Sequence, residues 1–300
     1  MTISGIFKKL FYLKLTMNDG IYLIGGSKGG TGKSTFSIAL ACFLAVLKED
    51  FNSFNEKTKD LSDEAKFTEA LKMHHKYAFL LPEGDRSNFT NISEFFELYN
   101  SNKTIVNAVK NDILFVDIDP QGTGSKFFTR RSKSGLPIVQ KAQLEGDDII
   151  QQLNGYYEKY KIIIIDCGGF ESGELLGSIA TCSKFYITLH PSQFDSETLP
   201  KLFKNIRNIL AAKEEKPKIK LFFNFANFQT DVEEANSSLR GYFKEKKINF
   251  VELMDISIKW IKYLKKGNKT GETVFDLVPK TPADKKGLIQ MKLLVKDILS

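Results

Sequence analysis

Residues 25–35 read GGSKGGTGKST: five glycines and two lysines in eleven positions, between the apolar run IYLI (21–24) and the apolar stretch FSIALACFLAVL (36–47). A glycine-rich loop between a strand and a helix turns backbone N–H groups onto phosphate oxygens, and the helix that starts there adds the positive end of its dipole. Gly32-Lys33-Ser34-Thr35 supplies the parts of a nucleoside-triphosphate loop. Lys33 reaches the β- and γ-phosphates and the Ser34 hydroxyl ligates Mg²⁺. Gly29, Gly30, Thr31, Gly32, Lys33, Ser34 and Thr35 are therefore the candidate nucleotide-binding residues. The general pattern asks for glycine five residues before Gly32, where this chain has Ser27. One lysine is enough for a phosphate loop, so Lys28 needs a separate reason.

Three further stretches carry polar groups at the ends of apolar runs: FVDIDPQGTGSKF (115–127) with Asp117 and Asp119, IIIIDCGG (162–169) with Asp166, and FFNFAN (222–227) with Asn224. An acid closing a run of four buried isoleucines is costly unless a cation or a water network pairs with it. Mg²⁺ coordination gives Asp166 that partner. Cys42, Cys167 and Cys182 are scattered, with no CxxC pair, so neither a disulfide framework nor a zinc or iron–sulfur site is encoded. Cys167 and His190 read as core and structural residues.

These groups need rigid elements to hold them. IYLI (21–24), ILFVDID (113–119), KIIIIDC (161–167), FYITL (185–189) and IKLFFNF (219–225) read as buried parallel strands. Helical patterns cover 33–48, 146–159, 172–183, 196–212, 232–246, 256–266 and 284–299. Strands alternating with helices imply right-handed crossovers and an α/β, doubly wound, mostly parallel sheet. Residues 49–111 do not fit its minimal form and read as an inserted helical subdomain. One of its helices follows Ser62; the other starts near Asn91, with Glu94 at capping-box spacing. The expected organisation is an extension at 1–19 and a phosphate-loop domain at 20–300 interrupted by 49–111.

The spelling Lys28-Gly29-Gly30-x-Gly32-Lys33-Ser34 is the deviant Walker A sequence, and here the chain resembles the ParA/MinD family of partition and positioning ATPases. LHPSQFD (189–195) is similar to a segment of its smaller, ParF-like members. The resemblance covers roughly 20–48 and 112–300. It implies that Lys28 crosses a two-fold interface to the phosphates of a second subunit's ATP, making an ATP-dependent homodimer. Asp119 would orient the attacking water, Asp117 would sit in the Mg²⁺ and water shell, and Asn224 would face the adenine edge. Lys28, Lys33 and Asp119 are then the catalytic residues, and Ser34, Asp117 and Asp166 the metal site. Cys-Gly-Gly at 167–169 departs from relatives that carry proline there.

Charge points to partners. The whole chain is +7, yet residues 201–300 alone hold 21 Lys and Arg against 12 Asp and Glu. A basic third suits a polyanion, and a helix at 256–266 capped by Asp255 would present Lys259, Lys262, Lys265 and Lys266 to DNA without reading its bases. The implied function is a cytoplasmic, nucleoid-associated ATPase that segregates or positions a plasmid, mobile element or other cargo, triggered by a ParB-like or cargo-adaptor protein. Two alternatives stand beside it. IFKKLFYLKL (6–15) can form an amphipathic face, as in a MinD-like membrane-cycling ATPase. Small-molecule chemistry of the dethiobiotin synthetase kind is opposed by Lys28. No stretch reaches the roughly 20 apolar residues that span a bilayer.

Overall fold

The computed structural model describes residues 20–26, 30–83, 89–146, 149–169, 173–191, 198–226, 228–259 and 267–300. Seven strands form one sheet in the order β3-β2-β4-β1-β5-β6-β7. They are β1 (Ile21–Gly26), β2 (Ile113–Asp117), β3 (Gln140–Gln143), β4 (Ile162–Asp166), β5 (Lys184–Leu189), β6 (Lys218–Asn224) and β7 (Glu252–Ile258). Every neighbouring pair is parallel. This is the expected doubly wound α/β architecture, with two strands beyond the five read from sequence.

The apolar runs alternate between two helical layers, because successive strand side chains point to opposite faces. Tyr22, Ile24, Phe115, Ile162 and Ile164 face a layer built from α1 (Lys33–Thr58), α2 (Asp63–Tyr77), α3 (Ile92–Ser101), α4 (Lys103–Lys110), α5 (Thr123–Lys133) and α10 (Pro282–Leu299). Ile21, Leu23, Leu114, Val116, Ile163 and Ile165 face α6 (Ile149–Tyr157), α7 (Gly173–Thr181), α8 (Thr198–Ala211) and α9 (Gln229–Glu245). Among the described residues no helix is long and apolar enough to cross a membrane.

Three sequence expectations need correcting. The phosphate-loop helix does not stop at 48 but runs 26 residues to Thr58. Leu47, Phe51, Phe54 and Thr58 continue its buried stripe at helical spacing, which leaves the charged residues of 49–58 on the outer face. Second, the helix read at 256–266 begins as a strand: Ile256, Ser257 and Ile258 belong to β7, and Asp255, 97% exposed at its side chain, caps nothing. The rest of that stretch, with Lys262, Lys265 and Lys266, lies outside the described residues, as do 1–19. Third, Glu94 returns its cap bond to the Thr90 N–H (2.6 Å), one residue earlier than a capping box requires, while Asn91 Oδ1 accepts from the Glu94 N–H (3.0 Å).

Of the helices of 59–111, α2 and α3 pack on α1 through rings, α2 by Phe51–Tyr77 (5.9 Å). Phe51–Tyr99 (5.5 Å), Phe54–Phe95 (5.4 Å) and Phe95–Tyr99 (4.7 Å) join them to the same buried cluster that covers β1 and β4.

A strap at 267–276 crosses the end of α5 and is fastened by a buried ion pair. Arg131, fully buried, sends Nη1 to Asp276 Oδ2 (2.8 Å) and Nη2 to Asp276 Oδ1 (2.9 Å), with further bonds from Nη1 to the Gly271 carbonyl and from Nε to the Pro137 carbonyl. Gly271 has φ +79°, and a Cβ there would collide with the Arg131 backbone, so only glycine lets the strap approach this closely. Burial pushes the Asp276 carboxyl up, but hydrogen bonds from Arg131 and Thr273 outweigh it and hold it below the usual carboxylate range. Asp276→Asn should therefore cost roughly 3–5 kcal/mol in urea unfolding, since it leaves a buried guanidinium unpaired. The parent's advantage should be full above about pH 4 and should shrink as pH falls through the depressed folded-state value, so that the two proteins converge in acid. A pH-independent difference would show that Asp276 is not the charge partner.

Candidate functional site

Every sequence-predicted site residue that the structure describes lies at the carboxyl edge of the sheet, where parallel α/β folds bind ligands. Lys28 and Gly29 fall outside the described residues. The other residues come from the ends of four strands and the start of one helix.

The loop is clamped from below. Thr31 is 1% exposed, and the Thr188 hydroxyl on β5 donates to its Oγ1 (3.0 Å). Asn224, closing β6, donates from Nδ2 to the Thr31 carbonyl (2.8 Å) and accepts the Phe225 N–H on Oδ1 (2.9 Å). Gly32 takes φ 89°, ψ 15°, and a Cβ there would run into Asn224 Nδ2. Loop and clamp thus require each other: no other residue fits at 32 while Asn224 keeps its bond. Asn224, expected against an adenine edge, spends one amide hydrogen on the loop and its oxygen on the Phe225 N–H. Phe225 follows in the left-handed region (φ 59°), which costs a non-glycine residue about 1–2 kcal/mol and places its ring beside Gly32. Nothing in the spacing of FYITL or FFNFAN marks Thr188 or Phe225 for these tasks.

Lys33 opens α1 and is 7% exposed. Burial pulls its ammonium pKa down, against the attraction of the Asp166 and Asp119 carboxylates. A nearly buried ammonium at a helix start favours a multiply charged anion in contact with it.

The acids differ in how they are spent. Asp117 and Asp166 are register partners on adjacent strands. Asp117 Oδ1 accepts from the Asp119 N–H (3.2 Å) and Oδ2 from the Ser125 N–H at the start of α5 (3.0 Å). Burial raises its pKa against those two bonds. Asp117 thereby ties α5 to the sheet edge. Asp119 Oδ1 accepts the Gln121 N–H (2.9 Å), forming a turn that leaves the side chain half-buried. A methyl on Gly168 would sit 3.9 Å from Asp119 Cγ, so this carboxyl faces the loop after β4.

Asp166 is fully buried, and among the described residues neither carboxylate oxygen has a hydrogen-bond partner. Burial lifts its pKa to about 7; the Ser34 and Ser37 hydroxyls lie close enough to oppose the rise without meeting either oxygen in bonding geometry, and Asp117 adds to it. Two unsatisfied carboxylate oxygens beside Ser34 fit a divalent cation. Among the described residues no three acids, histidines or cysteines converge as a protein-only cage. A cation held by Ser34 and Asp166 would complete its shell with waters and phosphate oxygens, the coordination Mg²⁺ prefers, and would neutralise phosphate charge. Cys167 is buried with its thiol pKa pushed up, as a core residue should be.

No family model matches this chain, and no curated protein matches it. Solved structures do. Apo McdA of Cyanthece aligns at 12% identity over 94% of this chain and 99% of its own, with a TM-score of 0.54. MinD of Pyrococcus horikoshii OT3, the septum site-determining protein solved with Mg-ADP, aligns at 11% identity over 92% and 95%, with a TM-score of 0.49. The cell-division ATPase MinD of Pyrococcus furiosus aligns at 13% identity over 93% and 99%, at 0.48. The McdA likeness establishes the α/β P-loop fold that the ParA/MinD resemblance implied.

Asp166→Asn tests the carboxylate directly. Without ligand the variant should unfold at higher urea than the parent at about pH 8, because a neutral amide escapes the charge-burial penalty. Mg²⁺ with ATP should stabilise the parent by about 2.7 kcal/mol at a hundredfold excess over Kd and the variant by clearly less. A variant that is destabilised without ligand would mean that the carboxylate already has a partner.

Proposed function

We propose that this protein is a Mg²⁺-dependent ATP hydrolase that dimerises on ATP and uses the cycle to position or segregate a cargo. The observation that carries the reading is the pairing of a clamped glycine loop with a buried Lys33 and an orphaned Asp166: one anion-seeking and one cation-seeking group, both buried, at the mouth of the same loop. A nucleoside triphosphate with its metal would bring phosphate to Lys33 and a cation to Asp166 at once. Hydrolysis would then fall to Asp119, the half-buried acid facing the loop after β4, which would orient water while Lys33 and a bound cation would offset developing charge.

Lys28 gives the reading its dimer. The phosphate loop needs only Lys33, and the deviant Walker A spelling supports a trans contact by Lys28 across a two-fold axis. DNA is the proposed surface on which the dimer works, through Lys259, Lys262, Lys265 and Lys266, with a ParB-like or adaptor protein stimulating turnover. Lys259, the described one of the four, leaves β7 with its N–H held by Gln290 Oε1 on α10 (3.2 Å), so the basic stretch starts from a fixed point.

Light scattering with Mg²⁺ and ATP separates these roles. The parent should shift from monomer to dimer, Lys33→Ala and Lys28→Ala should stay monomeric, and Asp119→Ala should remain dimeric and release phosphate at least roughly a hundredfold more slowly. Parent-like hydrolysis by Asp119→Ala would remove that residue from the mechanism.

The DNA arm has its own readout. Affinity should be indifferent to sequence, and Lys262→Glu with Lys266→Glu should lower the slope of log affinity against log salt by about 0.9 for each DNA phosphate that the protein no longer neutralises. An unchanged slope with intact dimerisation would exclude this stretch as the DNA-binding element.

A further inference from the structure

Two arginines stand side by side near the end of α5 and have different surroundings. Arg131 is consumed by Asp276 and two carbonyls. Arg130 is half-buried; its Nε–H donates to the Asn268 carbonyl of the strap (2.9 Å), and its guanidinium lies 5.8 Å from the Phe127 ring centroid. Among the described residues neither of its Nη groups meets an acceptor. The bond to the strap and the ring beneath fix the plane of the guanidinium, so these two groups are aimed rather than loose.

Arg130 borders a small cavity. Arg130 lines about 70 Å³ of space together with Ser34 and Thr35 at the start of α1, Thr123 and Phe127 of α5, and Asn268 of the strap. That is several times what one water needs and far below the roughly 300 Å³ at which pockets for whole small molecules begin. No carboxylate lines it, and Ile38, Ala39 and Val274 close its apolar side. A permanently charged fork facing such a space calls for a compact oxyanion, and planar guanidinium donors match phosphate oxygens two at a time. Ser34 and Thr35 belong to the phosphate loop itself, so the oxyanion that comes within reach is a phosphate group of the nucleotide.

We infer that Arg130 is a further phosphate-contacting residue, its Nη groups donating to a non-bridging oxygen on the Ser34–Thr35 side of the bound nucleotide. This rests on the ATP reading above and adds to the loop residues a cationic contact from outside the loop. It also gives the strap a task at the site: Asn268 aims Arg130, and the Arg131–Asp276 pair holds Asn268 in place.

The test is binding, with fluorescent N-methylanthraniloyl-ATP and Mg²⁺ titrated into the full chain and its displacement by inorganic tripolyphosphate. Arg130→Gln should weaken both ligands by roughly ten- to hundredfold, the usual worth of a charge-assisted hydrogen bond. Arg130→Lys should recover only part of that affinity, because an ammonium lacks the two-pronged geometry. Weakening for the ATP analogue with none for tripolyphosphate would overturn the assignment by moving the interaction to the ribose or base. If Lys33→Ala abolishes binding while Arg130→Gln stays within twofold of the parent, Arg130 only packs on the strap and the inference fails alone. If neither substitution changes binding, the nucleotide reading falls with it. Urea midpoints serve as the folding control, and should the glutamine variant be unstable, Arg130→Lys decides: several-fold weakening of both ligands supports the assignment, parent affinity overturns it.

Discussion

A carboxylate with no partner at the centre of a parallel sheet is the constraint on which the site depends. Asp166 closes β4, the strand between β1 and β2, and the apolar run that places it there also strips it of water. A charge in such a position is relieved by protonation, which a pKa lifted to about 7 makes accessible, or by a cation bound from outside. Its neighbours follow from that requirement. Ser34 stands beside it on the first turn of α1, Lys33 brings the opposite charge, and Asp117 on the adjoining strand, although it accepts two backbone N–H groups, adds a second negative charge. The site is frustrated without ligand and consistent with one, the balance expected where stability has been traded for binding.

Rigid positioning of these charges depends on α1. Its first turn forms the phosphate loop's exit and its last three turns lie among the rings of α2 and α3. A helix with continuous hydrogen bonds over that length moves as a rod, so the aromatic layer built by residues 59–111 also buttresses the loop end of α1. That layer shares one buried cluster with β1 and β4.

How much of this was legible depended on what wrote each signal. The five inner strands are buried on both faces and so appear as unbroken apolar runs; Ile162–Ile165 could hardly be read otherwise. β3, with sequence QKAQ, is an exposed edge strand, held by its pairing to β2 and by Lys141 Nζ reaching Thr129 Oγ1 on α5 (3.1 Å), and carries no apolar pattern. β7 mixes buried and exposed positions and pairs with β6 across a register shift between Leu221 and Phe223, which blurs its alternation and allowed a helical reading from 256. The loop and its acids were legible because their chemistry demands fixed residue types at fixed spacing. The clamp was not: Thr188 and Asn224 reach Thr31 from 157 and 193 residues away, and only the sheet order brings them together.

The same argument explains why the strap escaped notice and why it matters. Arg130 and Arg131 look alike in the string TRRSK, and neither Asn268 nor Asp276 has a local reason to be special. In space, consecutive residues of α5 are rotated by about 100° from each other. One guanidinium therefore turns into the core, where only a full set of acceptors makes it tolerable, and the next turns toward the loop. The two ends of α5 are consequently held by different means. Asp117 grips its amino end through the Ser125 N–H, and Asp276 grips its carboxyl end through Arg131. A helix fixed at both ends can present Arg130 at a set distance from Ser34, whereas a helix fixed only at the sheet edge could not. The buried ion pair contributes little net stability on general grounds; what it supplies is this register.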